Sequence, residues 1–131
     1  MSAGIHALVA ARLGETETAL RFLRQAAAAD LELDPNSAGG IRIAGLGGLW
    51  QAIVLGFAGL GVKVDMLSID PRLPPQWRSL SFRVCWRGRS VAIRISGTTA
   101  EATLVAGDAM EMRIRAATQK LTPGTTLQVS V

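Results

Sequence analysis

The spacing of the apolar residues changes once along the chain. Before residue 60 they recur at helical spacing, and after it they alternate with polar residues. The first pattern predicts a helix over residues 2–13, with Ser2 as its N-cap and Gly14 just beyond its end, and a second helix over 16–29. Because so few residues join them, we expect these two helices to form an antiparallel hairpin.

Residues 43–62 contain no charged side chain, and a helix of about 20 residues is long enough to span a membrane. Two interpretations follow. The segment is either a membrane-spanning helix or a helix of a soluble protein that is buried on all sides, with its glycines allowing close packing and Trp50 inside. We favour the buried helix, because a run of strands follows it directly.

The strand pattern is clearest at residues 80–86 and 91–95, which alternate apolar with polar side chains and are joined through Arg87 and Gly88. They predict a β-hairpin. Further strands are predicted over 62–69, 100–105, 110–114 and 125–131. Short strands at this spacing are typical of an antiparallel β-sandwich or jelly roll. The fold class is therefore α+β, with a helical domain over 1–60 and a β-domain over 61–131.

Composition narrows the class of protein. The chain has 131 residues, of which 49% are hydrophobic, so it is not disordered. Its net charge of +4 comes from the part after residue 60, where most arginines alternate with apolar residues and are expected on a solvated sheet face. Nucleic-acid binding is therefore not expected. Cys85 is the single cysteine, so an internal disulfide is excluded; no secretion signal is apparent, and we expect a cytoplasmic protein.

The candidate chemistry lies in a glycine-rich loop over residues 36–42 that leads into a helix. Such a helix start presents free backbone N–H groups and the positive end of the helix dipole, which suit phosphate or another anion. Ser37 adds a hydroxyl and Arg42 a guanidinium. Many loops of this kind bind only water, so the loop alone leaves both interpretations open. His6 is the only histidine, which excludes a multi-histidine metal site, and no metal or cofactor is expected.

Three blocks taken together resemble the C-terminal part of glycoside hydrolase family 65, which includes maltose, trehalose and kojibiose phosphorylases and some hydrolases. The blocks are His6-Ala7 with AARLG, then DLELDPNSAGGIRIAGLGGLWQAIVLGFAGL, then IDPRLPPQWRSLSFRVCWRGRSVAIRIS. The resemblance extends through about Ser96. It implies that the helices are the last ones of an (α/α)6 barrel and that the β-domain is the small C-terminal jelly roll.

The resemblance also implies a site beside the sugar, which binds phosphate in phosphorylases or activates water in hydrolases. The residues that the resemblance places in this site are His6, Ser37, Ala38, Gly39, Gly40 and Arg42. Gly39 stands where the family commonly has an acidic residue, which argues against a general base, and Arg42 stands where histidine is usual. Arg42 is still able to hold an anion.

The family's general acid is a glutamate far upstream that has no counterpart in this chain, so the resemblance implies no catalytic residue here. We expect the chain alone to be inactive and to self-associate through an exposed helical face. An α-linked disaccharide and phosphate are the expected partners of the complete enzyme, with no nucleic acid and no membrane. Two alternatives remain open. One is the small membrane protein, and the other is a free carbohydrate-binding module that uses Trp77 and the arginines.

Overall fold

The structure is a computed structural model, and it describes residues 3–31 and 43–131. Its helices precede its strands, which confirms the α+β class. The chain forms two compact units, Met1–Phe57 and Ala58–Val131. The sequence pattern places the same transition between residues 60 and 61.

The helical unit contains α1 (Ala3–Arg12), α2 (Thr16–Leu31) and α3 (Ile43–Gln51), and α3 continues into a π-helical segment at Ala52–Phe57. The first two helices were predicted from helical spacing, and both are confirmed. Gly14 has a φ of 84° just after α1, as expected for a glycine that ends a helix.

Small side chains on α1 allow the helices to pack closely. Gly4, Ala7 and Ala11 of α1 are all buried. A Cβ added to Gly4 would lie 3.1 Å from the backbone of Gly48, and one added to Gly56 would lie 3.2 Å from the Cα of Leu8. The backbone of α1 therefore approaches the backbones of α3 and of the π-helical segment more closely than larger residues would permit.

The prediction of one helix over 43–62 is wrong in its extent, and in this chain alone the segment is not buried on all sides. Regular α-helix ends at Gln51, and α3 itself has no buried residue. Trp50, expected inside, is 53% exposed. Burial begins only in the π-helical segment, where Ala52, Val54, Gly56 and Phe57 are buried. The reason is that α1 and α2 cover part of this segment, and a helix is buried on all sides only when other elements surround it.

The membrane interpretation required a long apolar helix. Within residues 3–31 and 43–131, no helix has the length and hydropathy that crossing a bilayer requires.

The β-unit contains eight strands in two four-stranded sheets. One sheet has the order β1-β2-β6-β7, formed by Gly61–Lys63, Met66–Ile69, Met110–Ile114 and Ala117–Leu121. The other has the order β3-β4-β5-β8, formed by Ser79–Trp86, Arg89–Ser96, Thr99–Ala106 and Thr126–Ser130. The predicted hairpin is confirmed as β3 and β4, paired from Ser79 with Ser96 to Trp86 with Arg89.

Three details of the β-unit differ from the sequence prediction. The strand predicted over 62–69 is a tight hairpin, β1 and β2, with Val64 and Asp65 at its turn. Strand β7 was not predicted, because four of its five residues are partly or fully exposed and give no clear alternation. The sheets are not entirely antiparallel, since β2 pairs with β6 in parallel.

The core of the β-unit is drawn from both sheets. Ile69, Met112 and Ile114 of the first sheet and Ile93 and Leu104 of the second are at most 1% exposed. Side chains of two sheets that bury their facing surfaces together form a β-sandwich. The polar alternation on β3, where Ser81, Arg83 and Cys85 are exposed, follows from this arrangement.

Candidate functional site

His6 lies on α1 and is exposed, and its ring stacks on Phe22 of α2. The ring centroids are 5.1 Å apart and the planes differ by 26°. The Arg21 guanidinium lies 5.6 Å from the Phe22 ring centroid on the same helix. His6 therefore sits in an aromatic and cationic environment across the α1–α2 pair, which orients its ring.

The other predicted site residues lie outside the described residues. They are Ser37, Ala38, Gly39, Gly40 and Arg42. The structure therefore leaves the grouping of His6 with the glycine-rich loop as a prediction. It does place the helix that follows this loop, since α3 begins at Ile43.

An apolar face of α3 is exposed to solvent. Ile43, Leu46 and Trp50 are 79%, 41% and 53% exposed. Their spacing of three and four residues places them on one side of the helix. Exposed apolar side chains that cluster on one face mark a surface that another protein segment covers. Leu13, just after α1, is 71% exposed and adds to the apolar surface of the helical unit.

The β-unit contains a cluster of charges that the sequence pattern did not predict. The turn between β1 and β2 and the turn between β3 and β4 belong to different sheets, and they meet through Asp65 and Arg87. Arg87 donates two hydrogen bonds to the Asp65 carboxylate, one at 2.9 Å from Nη1 to Oδ2 and a second from Nη2 to Oδ1. This pairing holds the pKa of Asp65 below its ordinary value and raises the pKa of Arg87, through the hydrogen bond first and the charge second.

Trp86 and Arg89 surround this ion pair. The Arg87 guanidinium lies 4.7 Å from the Trp86 ring centroid, in a cation–π contact. Arg89 donates from Nε to the Asp108 carbonyl at 3.2 Å and from Nη2 to the Ala109 carbonyl at 3.3 Å. Arg89 thereby holds the loop between β5 and β6 against the start of β4. Sequence analysis identified the Arg87-Gly88 turn as a hairpin signal but gave no indication of its partner.

A second charged cluster fixes the connection after β2. The Asp70 carboxylate lies 3.8 Å from Arg72 Nη2 and 3.6 Å from Arg115 Nε. Arg115 also donates from Nη2 to the Pro71 carbonyl at 3.1 Å. Trp77, in the same connection, is only partly exposed, and its amide donates to the Pro74 carbonyl at 3.0 Å.

Comparison with known proteins identifies the class. Residues 60–122 match the family model described as Glycosyl hydrolase family 65, C-terminal domain. Kojibiose phosphorylase of Halothermothrix orenii is 38% identical over 96 residues, which are 72% of this chain and 12% of that protein. Alpha,alpha-trehalose phosphorylase of Geobacillus stearothermophilus is 30% identical over 131 residues, 99% of this chain and 17% of that protein. Maltose phosphorylase of Bacillus subtilis is 31% identical over 115 residues, 87% of this chain and 15% of that protein.

The chain belongs to glycoside hydrolase family 65 and carries its C-terminal domain, which confirms the resemblance of the three sequence blocks. A solved structure from the human microbiome, named provisionally as a kojibiose phosphorylase, shares the fold. It superposes with a TM-score of 0.85 at 22% identity and covers 98% of this chain and 19% of that one. The chain spans less than one fifth of the length of these relatives.

Proposed function

We propose that this chain works as the C-terminal part of a family 65 phosphorylase that cleaves an α-linked glucose disaccharide with inorganic phosphate. The observation that carries the proposal is the exposed apolar face of α3, in a chain that matches only 12–17% of its phosphorylase relatives. A helix that exposes Ile43 and Trp50 to this extent is expected to pack against residues that a longer protein supplies.

In this proposal α1, α2 and α3 are the last helices of an (α/α)6 barrel, and the β-unit is a jelly-roll domain after the barrel. The small residues of α1 support close packing between these neighbouring helices, which a helical barrel requires. The glycine-rich loop before α3 would then lie at the mouth of the barrel, beside the sugar.

The site residues of the proposal are His6, Ser37, Ala38, Gly39, Gly40 and Arg42. They hold phosphate, with Arg42 and the free N–H groups at the start of α3 binding its oxygens. The absence of a carboxylate at Gly39 removes a base for water and favours phosphorolysis over hydrolysis. Inorganic phosphate is the co-substrate, and no resident cofactor is required.

Cleavage of a glycosidic bond needs a protonated carboxyl group at the leaving oxygen and a nucleophile on the opposite face of the sugar. The proposal assigns the nucleophile's site to this chain and the acid to the preceding part of the complete enzyme. The chain alone is therefore inactive. The exposed thiol of Cys85 suits a reducing compartment, and we place the enzyme in the cytoplasm.

The test is an activity assay of the purified chain with maltose, trehalose and kojibiose, each with and without phosphate. The expected result is no release of glucose or glucose 1-phosphate above a protein-free control. The Halothermothrix orenii kojibiose phosphorylase serves as the positive control for kojibiose. Release of either product by the chain itself would show that it contains a complete catalytic site and would overturn the proposal.

A free carbohydrate-binding module that uses Trp77 is not favoured by these observations. The alignment with the Geobacillus stearothermophilus trehalose phosphorylase covers 99% of this chain, so it includes the helical unit as well as the β-unit. A free module would also leave the exposed face of α3 without a role.

A further inference from the structure

We propose that the pocket between the two hairpin turns of the β-unit is an accessory binding site for a neutral sugar ring. The pocket has a volume of about 380 Å³, and its walls come from the β1–β2 turn, the β3–β4 turn and the β5–β6 loop. The inference rests on the β-unit alone and does not depend on which disaccharide the complete enzyme cleaves.

The backbone at this pocket has positive φ at three residues other than glycine. Val64 and Asp65 have φ values of 49° and 61°, and Arg87 has a φ of 47°. Type I′ turns normally place asparagine, aspartate or glycine at such positions, so Asp65 is typical there, whereas a β-branched residue such as Val64 is unusual. Val64 is 95% exposed, so packing of its side chain does not compensate for this strain. Strained backbone that packing does not explain occurs preferentially at binding sites.

The walls of the pocket are nevertheless held in place. Arg89 fixes the β5–β6 loop through the carbonyls of Asp108 and Ala109. Gly107 in this loop has a φ of 103°, and a Cβ there would lie 2.8 Å from the Cα of Arg89. The loop therefore approaches β4 as closely as a glycine allows. A pocket whose walls are fixed before binding loses little entropy when a ligand enters.

The charges and the apolar surface of the pocket indicate the ligand class. Asp65 and Glu111 supply two carboxylates, Arg87 and Arg89 supply two guanidiniums, and Trp86 supplies an indole ring. Two positive and two negative groups give no net attraction for an anion or a cation. Hydrogen-bond donors and acceptors beside an aromatic ring match the hydroxyls and the C–H face of a pyranose.

The ion pair at the rim is no barrier to such a ligand. The side chains of Arg87 and Asp65 are 52% and 72% exposed, and solvent-exposed pairs contribute little to stability. Both groups can exchange their mutual hydrogen bonds for bonds to adjacent sugar hydroxyls. The guanidinium that covers the Trp86 ring would move aside with this exchange and leave the ring to the sugar.

Calorimetric titration of the full chain with maltotriose, cellotriose and inorganic phosphate tests the inference. At least one of the two sugars should bind, and any phosphate binding should be the same in the pocket variants as in the unchanged chain, because the proposed phosphate site belongs to the helical unit. Trp86→Phe and Asp65→Asn should each weaken binding by about fivefold to tenfold, because each removes one contact and keeps the aromatic ring or the turn conformation. Arg83→Ala is the matched control, since Arg83 lies on the same strand as Trp86 but on the exposed face, and it should leave binding unchanged.

The results separate this inference from the proposed function. Binding by neither sugar, phosphate binding that Trp86→Phe or Asp65→Asn weakens, or sugar binding that survives both substitutions unchanged would overturn the accessory site. Circular dichroism should show that each variant is as folded as the unchanged chain. A loss of binding is then due to the change in the pocket and not to unfolding. None of these outcomes bears on the proposed function, which is tested separately by measuring enzyme activity.

Discussion

Gly59 lies against the backbone of Asp70 so closely that a Cβ on Gly59 would clash with the Asp70 carbonyl oxygen. The Asp70 amide donates to the Gly59 carbonyl at 3.3 Å, and Gly59 has a φ of 66°. Both the close approach and the backbone conformation require glycine at this position. The contact joins the segment before β1 to the end of β2, and so fixes the start of the β-unit.

Replacing Gly59 with alanine is therefore expected to destabilise the β-unit by at least about 2 kcal/mol, from the positive φ and the contact with Asp70 together. Urea unfolding monitored by circular dichroism measures the change. Gly61→Ala is the matched control, because a Cβ on Gly61 meets nothing within 4 Å and its φ is not positive. Equal stability of the two variants would show that the Gly59–Asp70 contact is not formed.

At Val64, in contrast to Gly59, a substitution is expected to stabilise the β-unit. Since asparagine tolerates a positive φ far better than valine, Val64→Asn should stabilise the β1–β2 turn by about 1 kcal/mol. Val62→Asn, two residues earlier in β1, should instead lower stability by up to about 1 kcal/mol, because asparagine is disfavoured in strands. A Val64→Asn chain that melts below the unchanged protein would contradict the turn conformation.

The ion pair of Asp65 and Arg87 should make a small, pH-dependent contribution to stability. Arg87 lowers the pKa of Asp65 in the folded chain, so this contribution is present above the unfolded-state pKa of the carboxyl and is lost as the pH falls through the lower folded-state pKa. Asp65→Asn should therefore lower the melting temperature slightly near neutral pH and leave it unchanged in strong acid. The difference near neutral pH should shrink in high salt, because the pair is exposed. A difference that persists in acid would assign the effect to the turn and not to the charge.

The exposed face of α3 predicts association of the isolated chain. Sedimentation velocity should show oligomers whose fraction rises with concentration, and Ile43→Glu with Trp50→Glu should shift the chain towards monomer. Gln51→Glu and Gln25→Glu add the same charges at polar exposed positions and should leave association unchanged. If the chain without substitutions sediments as a monomer at all concentrations, the exposed apolar face of α3 does not drive association.

Local patterns predicted part of this fold well. One face of each of α1, α2, β3, β4 and β6 packs against a core. This one-sided packing produces the helical spacing and the alternation of apolar residues, which are visible in the local sequence. The turn at Val64 and Asp65 escaped prediction because valine is untypical of a type I′ turn and no glycine accompanies the aspartate. The parallel pairing of β2 with β6 depends on residues about 45 positions apart, which no local pattern encodes.

Burial was harder to predict than secondary structure. The absence of charge in residues 43–62 indicated an apolar environment, but burial depends on which neighbours are present, and α3 is exposed here. The candidate site was predicted only through the family resemblance. His6 has the aromatic partner Phe22 that spacing alone could not identify, because that contact joins two helices.

The most direct test of the central claim exchanges this chain for the matching part of a relative. The chain aligns over 131 residues with the trehalose phosphorylase of Geobacillus stearothermophilus, so it can replace that C-terminal part in a single chimeric enzyme. Phosphate-dependent release of glucose 1-phosphate from trehalose is then measured for the chimera, for the truncated relative and for the chain alone. The account predicts release by the chimera and none by either part. Release by the chain alone, or a folded chimera as inactive as the truncated relative, would contradict it.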